Sequence, residues 1–77
     1  MMIEIPVKDV SKAMVEAFNE CHDLRLNGYE VLFSSYDNGL LFIKLRHQRN
    51  GNVMSVKAKG VQLTIMRNGR IVKQVDF

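Results

Sequence analysis

At the start of the chain Ile3, Ile5 and Val7 alternate with Met2, Glu4 and Pro6, the period of two that suits a strand with one buried face. This predicts a strand over 2–7. Pro6 has no N–H to give a ladder, so the strand lies at an edge or ends there. From Val10 the period changes: Val10, Ala13, Met14, Ala17, Phe18, Cys21 and Leu24 recur at the three- and four-residue spacing of one helical face. Asp9 is an acceptor placed to cap the first free N–H groups, and Asn27-Gly28 supplies the left-handed geometry that ends a helix. The predicted helix covers 10–26. Its outer side carries Lys12, Glu16, Glu20, Asp23 and Arg25, a mainly acidic set that reads as a solvated face.

Beyond Gly28 an Asn-Gly pair separates apolar runs three times, at Asn38-Gly39, Asn50-Gly51 and Asn68-Gly69. Both residue types accept the positive φ of a tight hairpin turn, so the pairs predict a meander with strands at about 29–36, 40–48, 53–66 and 70–77. Loop length follows from asking which register sets apolar residues opposite one another. A three-residue loop Asp37-Asn38-Gly39 pairs Val31 with Leu45, Phe33 with Ile43 and Glu30 with Arg46. A two-residue Asn50-Gly51 turn pairs Leu45 with Val56 and Ile43 with Ala58. A loop of Arg67-Asn68-Gly69 pairs Ile65 with Ile71 and Val61 with Val75, and leaves Lys73 opposite Leu63. Across Lys59-Gly60 the alternation slips phase, from Met54, Val56 and Ala58 to Val61, Leu63 and Ile65. The glycine marks a bulge in one long strand or a turn between two, and the bulge is the preferred reading.

The expected fold is therefore α+β, one amphipathic helix packed on one face of an antiparallel meander sheet, in the order β-α-β-β-β-β. The fourth strand is long and bulged, or split, near Lys59-Gly60. One sheet face collects Ile3, Ile5, Val31, Phe33, Leu41, Ile43, Leu45, Val56, Val61, Leu63 and Ile65 as the core under the helix. The other collects Leu32, Ser34, Tyr36, Leu40, Phe42, Lys44, Arg46, Lys57 and Lys59. One helix covers one face, so this second face is open to solvent or closed by a second copy of the chain, a homodimer.

A chain of 77 residues, 47% hydrophobic and 25% charged, makes one ordered domain near the size at which burial alone becomes marginal. Charge changes the picture. Residues 1–37 hold seven acids against Lys8, Lys12 and Arg25, a balance of −4, whereas residues 38–77 hold eight bases against Asp76, a balance of +7. Lys and Arg gathered on one face bind phosphate chains by releasing their counterions, and neighbouring aromatic rings stack on unpaired bases.

The candidate site is accordingly Lys44, Arg46, Lys57 and Lys59, with Arg49, Arg67 and Arg70 beside them for phosphate or acidic contacts. Tyr36 and Phe42 serve for stacking or anchoring. The expected function is a small non-enzymatic protein that binds nucleic acid through this face. The rival is a protein-binding module, an inhibitor or adaptor such as accessory proteins of phages and mobile elements, meeting an acidic partner surface with the same residues. No RNP-type, KH, zinc-finger or helix-turn-helix pattern is present.

Catalysis finds little support. Cys21 falls on the apolar helix stripe, and His22, next to it in sequence, points about 100° away around the helix. His47 lies at a strand end near Arg46 and Arg49, where it is a turn residue or assists with phosphate. Two histidines and one cysteine at unrelated spacings make no zinc site, and no cofactor motif precedes the helix. The lone cysteine, the lack of a signal-peptide pattern and the lack of any apolar run near the roughly 18 residues of a membrane span point to the cytoplasm.

Overall fold

The computed structural model describes residues 4–77. Helix α1 (Lys12–Leu26) packs on a sheet of β1 (Tyr29–Asp37), β2 (Leu40–His47), β3 (Val53–Lys59), β4 (Gln62–Arg67) and β5 (Arg70–Asp76). The strands lie in sequence order and every neighbouring pair is antiparallel. The helix-on-meander architecture is the one expected from the sequence.

Three local features differ from expectation. Met2 and Ile3 of the expected first strand lie outside the described residues. Glu4 to Pro6 form no strand, and Val7–Asp9 is a 3-10 turn. Pro6 sits at φ −54°, and its carbonyl accepts the Asp9 N–H at 2.8 Å, so the hydrogen bonding closes locally. Ile5 still packs against the core, but Val7 is 91% exposed.

Secondly, the helix starts two residues later than expected. Ser11 is extended at φ −109°, and its Oγ accepts the Met14 N–H at 3.2 Å. This cap is worth about 1 kcal/mol. Asp9 is left free to accept a hydrogen bond from the Tyr36 hydroxyl at 3.1 Å. At the other end Asn27 and Gly28 terminate α1 as expected, with Gly28 at φ +94°.

Thirdly, the expected long strand 53–66 is split and not bulged. Lys59 pairs with Gln62 around a two-residue Gly60-Val61 turn, with Gly60 at φ +58°. Glycine in the first central position is what a type II′ hairpin prefers. Val61, expected in the core, is the second turn residue and 62% exposed.

The core is a single layer between α1 and the inner sheet face. Ala13, Ala17 and Cys21, at four-residue spacing, give α1 a narrow buried stripe of small side chains beside Met14. Opposite them lie Leu41, Ile43 and Leu45 of β2, Met54, Val56 and Ala58 of β3, and Leu63 and Ile65 of β4. Leu41, Leu45, Leu63 and Val56 are fully buried, each stabilising the fold by about 1.5–3 kcal/mol. Small helix residues let α1 settle close over the middle strands. Val10 and Phe18, expected within the stripe, fall to its flanks, and Phe18 is 43% exposed toward β1.

Candidate nucleic-acid interface on the open sheet face

The face away from α1 is set by which residue of each strand alternates with a buried one. On β2 and β3 alternation gives Leu40, Phe42, Lys44 and Arg46, then Val53, Ser55, Lys57 and Lys59. The expected β2–β3 register is two residues out: Leu45 pairs with Met54, Ile43 with Val56 and Leu41 with Ala58. The connection is the four-residue Gln48–Gly51 loop, closed by the His47 N–H on the Asn52 carbonyl at 2.8 Å. A shift of two leaves every side chain on its predicted face. Lys44, Arg46, Lys57, Lys59 and Phe42 therefore lie where the sequence puts them.

Strand β1 does not follow that rule. Asn38 at φ +50° and Gly39 at φ +79° make a two-residue turn, which pairs Asp37 with Leu40, Tyr36 with Leu41 and Phe33 with Lys44. Carried unchanged to the start of β1, that register would turn Val31 outward and Glu30 inward. A one-residue bulge at Leu32 corrects it, restoring Val31 opposite Leu45 and Glu30 opposite Arg46. The expected three-residue loop placed the extra residue in the turn; the protein places it in the strand.

The consequence for the site is an exchange of rings. Tyr36 and Ser34, expected on the open face, lie on the helix side, opposite the buried Leu41 and Ile43. Tyr36 packs against the core, with its hydroxyl tied to Asp9. Desolvation first, then the hydrogen bond and charge of Asp9, push its phenol above the ordinary range. Phe33, expected in the core, comes to the open face instead and is 40% exposed. Its ring centroid is 5.4 Å from that of Phe42, with the two planes at 53°.

Two lysines flank this aromatic pair. Lys44 is directly across from Phe33 and Lys57 directly across from Phe42, with the Lys57 ammonium 5.9 Å from the Phe42 ring centroid. Lys57 is exposed and free to exchange the ring for a phosphate. Around them the face carries small hydrogen-bonding groups, Ser35, Ser55, Thr64 and Gln74, and the apolar Met66 and Ile71. Arg46 is partly neutralised by Glu30 at 3.6 Å, both side chains being about half exposed. Lys59 lies in a row that begins at Asp37 and ends at Asp76. Of the four bases on this face, Lys44 and Lys57 are thus the two with no acid in their cross-strand rows.

The remaining candidates are dispersed. Arg49 is in the Gln48–Gly51 loop, at the rim of the sheet. Arg67 and Arg70 pair across the Asn68-Gly69 turn, on the helix side of the sheet by their alternation with Met66 and Ile71. They share an end of the sheet with Arg49, because Asn68 and Asn52 join the two loops through Asn68 Nδ2 and Asn52 Oδ1 at 3.3 Å. The third hairpin, like the first, has a two-residue turn and not the expected three. A bulge at Val72 sets Leu63 opposite Val75 and Ile65 opposite Lys73. Lys73, expected opposite Leu63, reaches the helix and donates to Glu20 at 3.0 Å.

His47 has no free nitrogen for phosphate. Nδ1 accepts the backbone N–H groups of Arg49 at 3.1 Å and Asn50 at 3.3 Å, which leaves Nε2–H to donate to the Asn27 carbonyl at 3.1 Å. The ring meets Tyr29 edge-on at 4.9 Å and clasps the helix end to the loop. Cys21 is a free thiol under α1, pushed up to about 11 by burial and, secondarily, by Glu20. Among the described residues no three of His, Cys, Asp and Glu gather as metal ligands. Among the same residues no helix is long and apolar enough to cross a membrane. Between α1 and β1 runs an open groove of about 920 Å³, lined by Phe18, Cys21, Arg25, Tyr29, Val31 and Ile43 among others.

No protein-family model matches the chain, no curated protein matches it, and no solved structure does.

Proposed function

We propose that this protein binds single-stranded nucleic acid on the open face of its sheet, without catalysis. Phe33 and Phe42 receive bases, while Lys44 and Lys57 contact the phosphates. The observation that carries the reading is this juxtaposition: two adjacent rings on neighbouring strands, each with a lysine directly across from it. Base stacking on such rings contributes about 1–3 kcal/mol per base, and phosphate contacts add a salt-dependent term. Stacking two such faces on each other as a homodimer would gather four lysines in one interface, so like charge favours an anionic occupant. A single cysteine held as a buried free thiol suits a reducing compartment such as the cytoplasm.

A second reading is an acidic protein surface on the same face, and Ile71 favours it. This side chain is 58% exposed at the end of the row that holds Phe33, Lys44, Ser55 and Met66, extending the apolar surface beyond the rings.

Fluorescence anisotropy with labelled single-stranded and duplex DNA and RNA at two salt concentrations tests the proposal. Binding of single strands is expected to be tighter than of duplex, to weaken linearly in log K against log salt, and to fall by at least about tenfold in the Lys44→Glu/Lys57→Glu variant. An absence of binding at low salt, or an affinity unchanged in that variant, would refute it. The face would then be pursued as a protein interface.

A further inference from the structure

We infer that the open face selects pyrimidine-rich single strands over adenine-rich ones. The inference rests on the nucleic-acid reading above and on one further observation, the angle between the two rings. Their planes are tilted by 53° at a centroid separation of 5.4 Å. A base stacks with its plane close to that of the ring beneath it. Two consecutive bases seated on Phe33 and Phe42 must therefore splay apart by about the same angle. They cannot keep the parallel stacking that they have on each other in a helical strand.

The two rings are carried by strands of different local geometry. Phe42 alternates with the buried Leu41 and Ile43 on a central strand, whereas Phe33 follows directly after the Leu32 bulge on an edge strand. A bulge adds local twist to its strand, and the two rings stand at 53° to one another beside it. Opening the step between two bases costs most where they stack best. Adenine runs stack strongly and hold single strands stiff, whereas thymine and uracil runs stack weakly and bend freely. The same geometry discriminates against duplex, in which each base is held by its pair as well as by its neighbours. Ser35, directly across from Phe42, presents a short hydroxyl group beside that ring, leaving room for a base edge without reading one base strictly.

The test is anisotropy titration of the full chain with fluorescein-labelled hexamers of thymidylate, uridylate and deoxyadenylate at one low salt concentration. It uses the natural sequence and Phe33→Leu, which keeps an apolar side chain on the edge strand but removes one ring plane. The natural protein should bind the thymidylate and uridylate hexamers roughly tenfold more tightly than deoxyadenylate, about the stacking difference of one base step. In Phe33→Leu the gap should close to about twofold, because one ring imposes no angle. Equal or tighter binding of deoxyadenylate overturns the inference, and so does a preference that Phe33→Leu leaves intact. In either case the nucleic-acid reading would stand, since the hexamers bind. If no hexamer binds the natural protein, that underlying reading fails and takes the inference with it.

Discussion

The two faces of this sheet are built from the same strands and differ in what their side chains do. The inner face is continuous and apolar: Leu41, Ile43, Leu45, Met54, Val56, Ala58, Leu63 and Ile65 are all buried under α1. The outer face interleaves Phe33, Phe42 and Met66 with Lys44, Lys57, Ser55 and Thr64, and no helix among the described residues packs on it. A five-stranded sheet with one helix needs a packed inner face to exist, so stability resides there. The outer face is free of that demand, and on the proposed reading its composition serves binding instead. Changes on the inner face should unfold the protein, and changes on the outer face should leave it folded but unable to bind.

The largest expected effect is on the inner face. Leu45→Ala removes a fully buried side chain from the middle of the core and should cost about 2–5 kcal/mol, most of the stability available to a domain of this size. Urea denaturation measures it, and a loss below about 1 kcal/mol would show that the core collapses around the cavity. The comparison is sharpened by the Lys44→Glu/Lys57→Glu variant, whose denaturation midpoint should stay within the small range of surface changes while its affinity falls.

An intermediate effect belongs to the junction at the helix end. Gly28 has φ +94°, and a Cβ there would come within 2.9 Å of His47 Nε2, the nitrogen bonded to Asn27. Gly28→Ala combines a disfavoured backbone with the loss of that clasp and should cost about 1–2 kcal/mol or more. Thermal unfolding is the measurement; an unchanged midpoint would mean that the His47 clasp contributes nothing. The smallest effect concerns the far end of the helix. Ser11→Ala removes the side-chain N-cap of α1 and should cost about 0.5–2 kcal/mol, whereas Asp9→Ala should leave helix content unchanged. Far-UV circular dichroism with thermal melts separates the two, and the reverse result would restore Asp9 as the cap.

Much of this was legible in the chain itself. Period-two alternation placed Lys44, Arg46, Lys57 and Lys59 on the open face even though the β2–β3 register was misjudged by two residues, because a shift of two keeps faces unchanged. The signal for Phe33 was present too. Asn38-Gly39 is the strongest two-residue turn sequence, and accepting it sets Phe33 opposite Lys44. What it does not give is Val31, which that register would turn to the open face; Val31, expected in the core, lines the groove beside α1 and is 39% exposed.

By itself the sequence determined the helix, the meander, the places of the three Asn-Gly turns and the faces of the central strands. Each depends on side-chain periodicity or on residues that tolerate positive φ, and both are local properties. Only the tertiary structure decided where the surplus residue of each edge strand goes. At both edges the tight turn fixes one register and the far part of the strand keeps another: Val31 opposite Leu45 in β1, Val75 opposite Leu63 in β5. The conflict is resolved by bulges at Leu32 and Val72, in strands that pair on one side only and so bend at least cost. That choice exchanged Tyr36 for Phe33 on the open face. It is set by the balance between a turn and a core that are distant along the chain, and no local pattern records it.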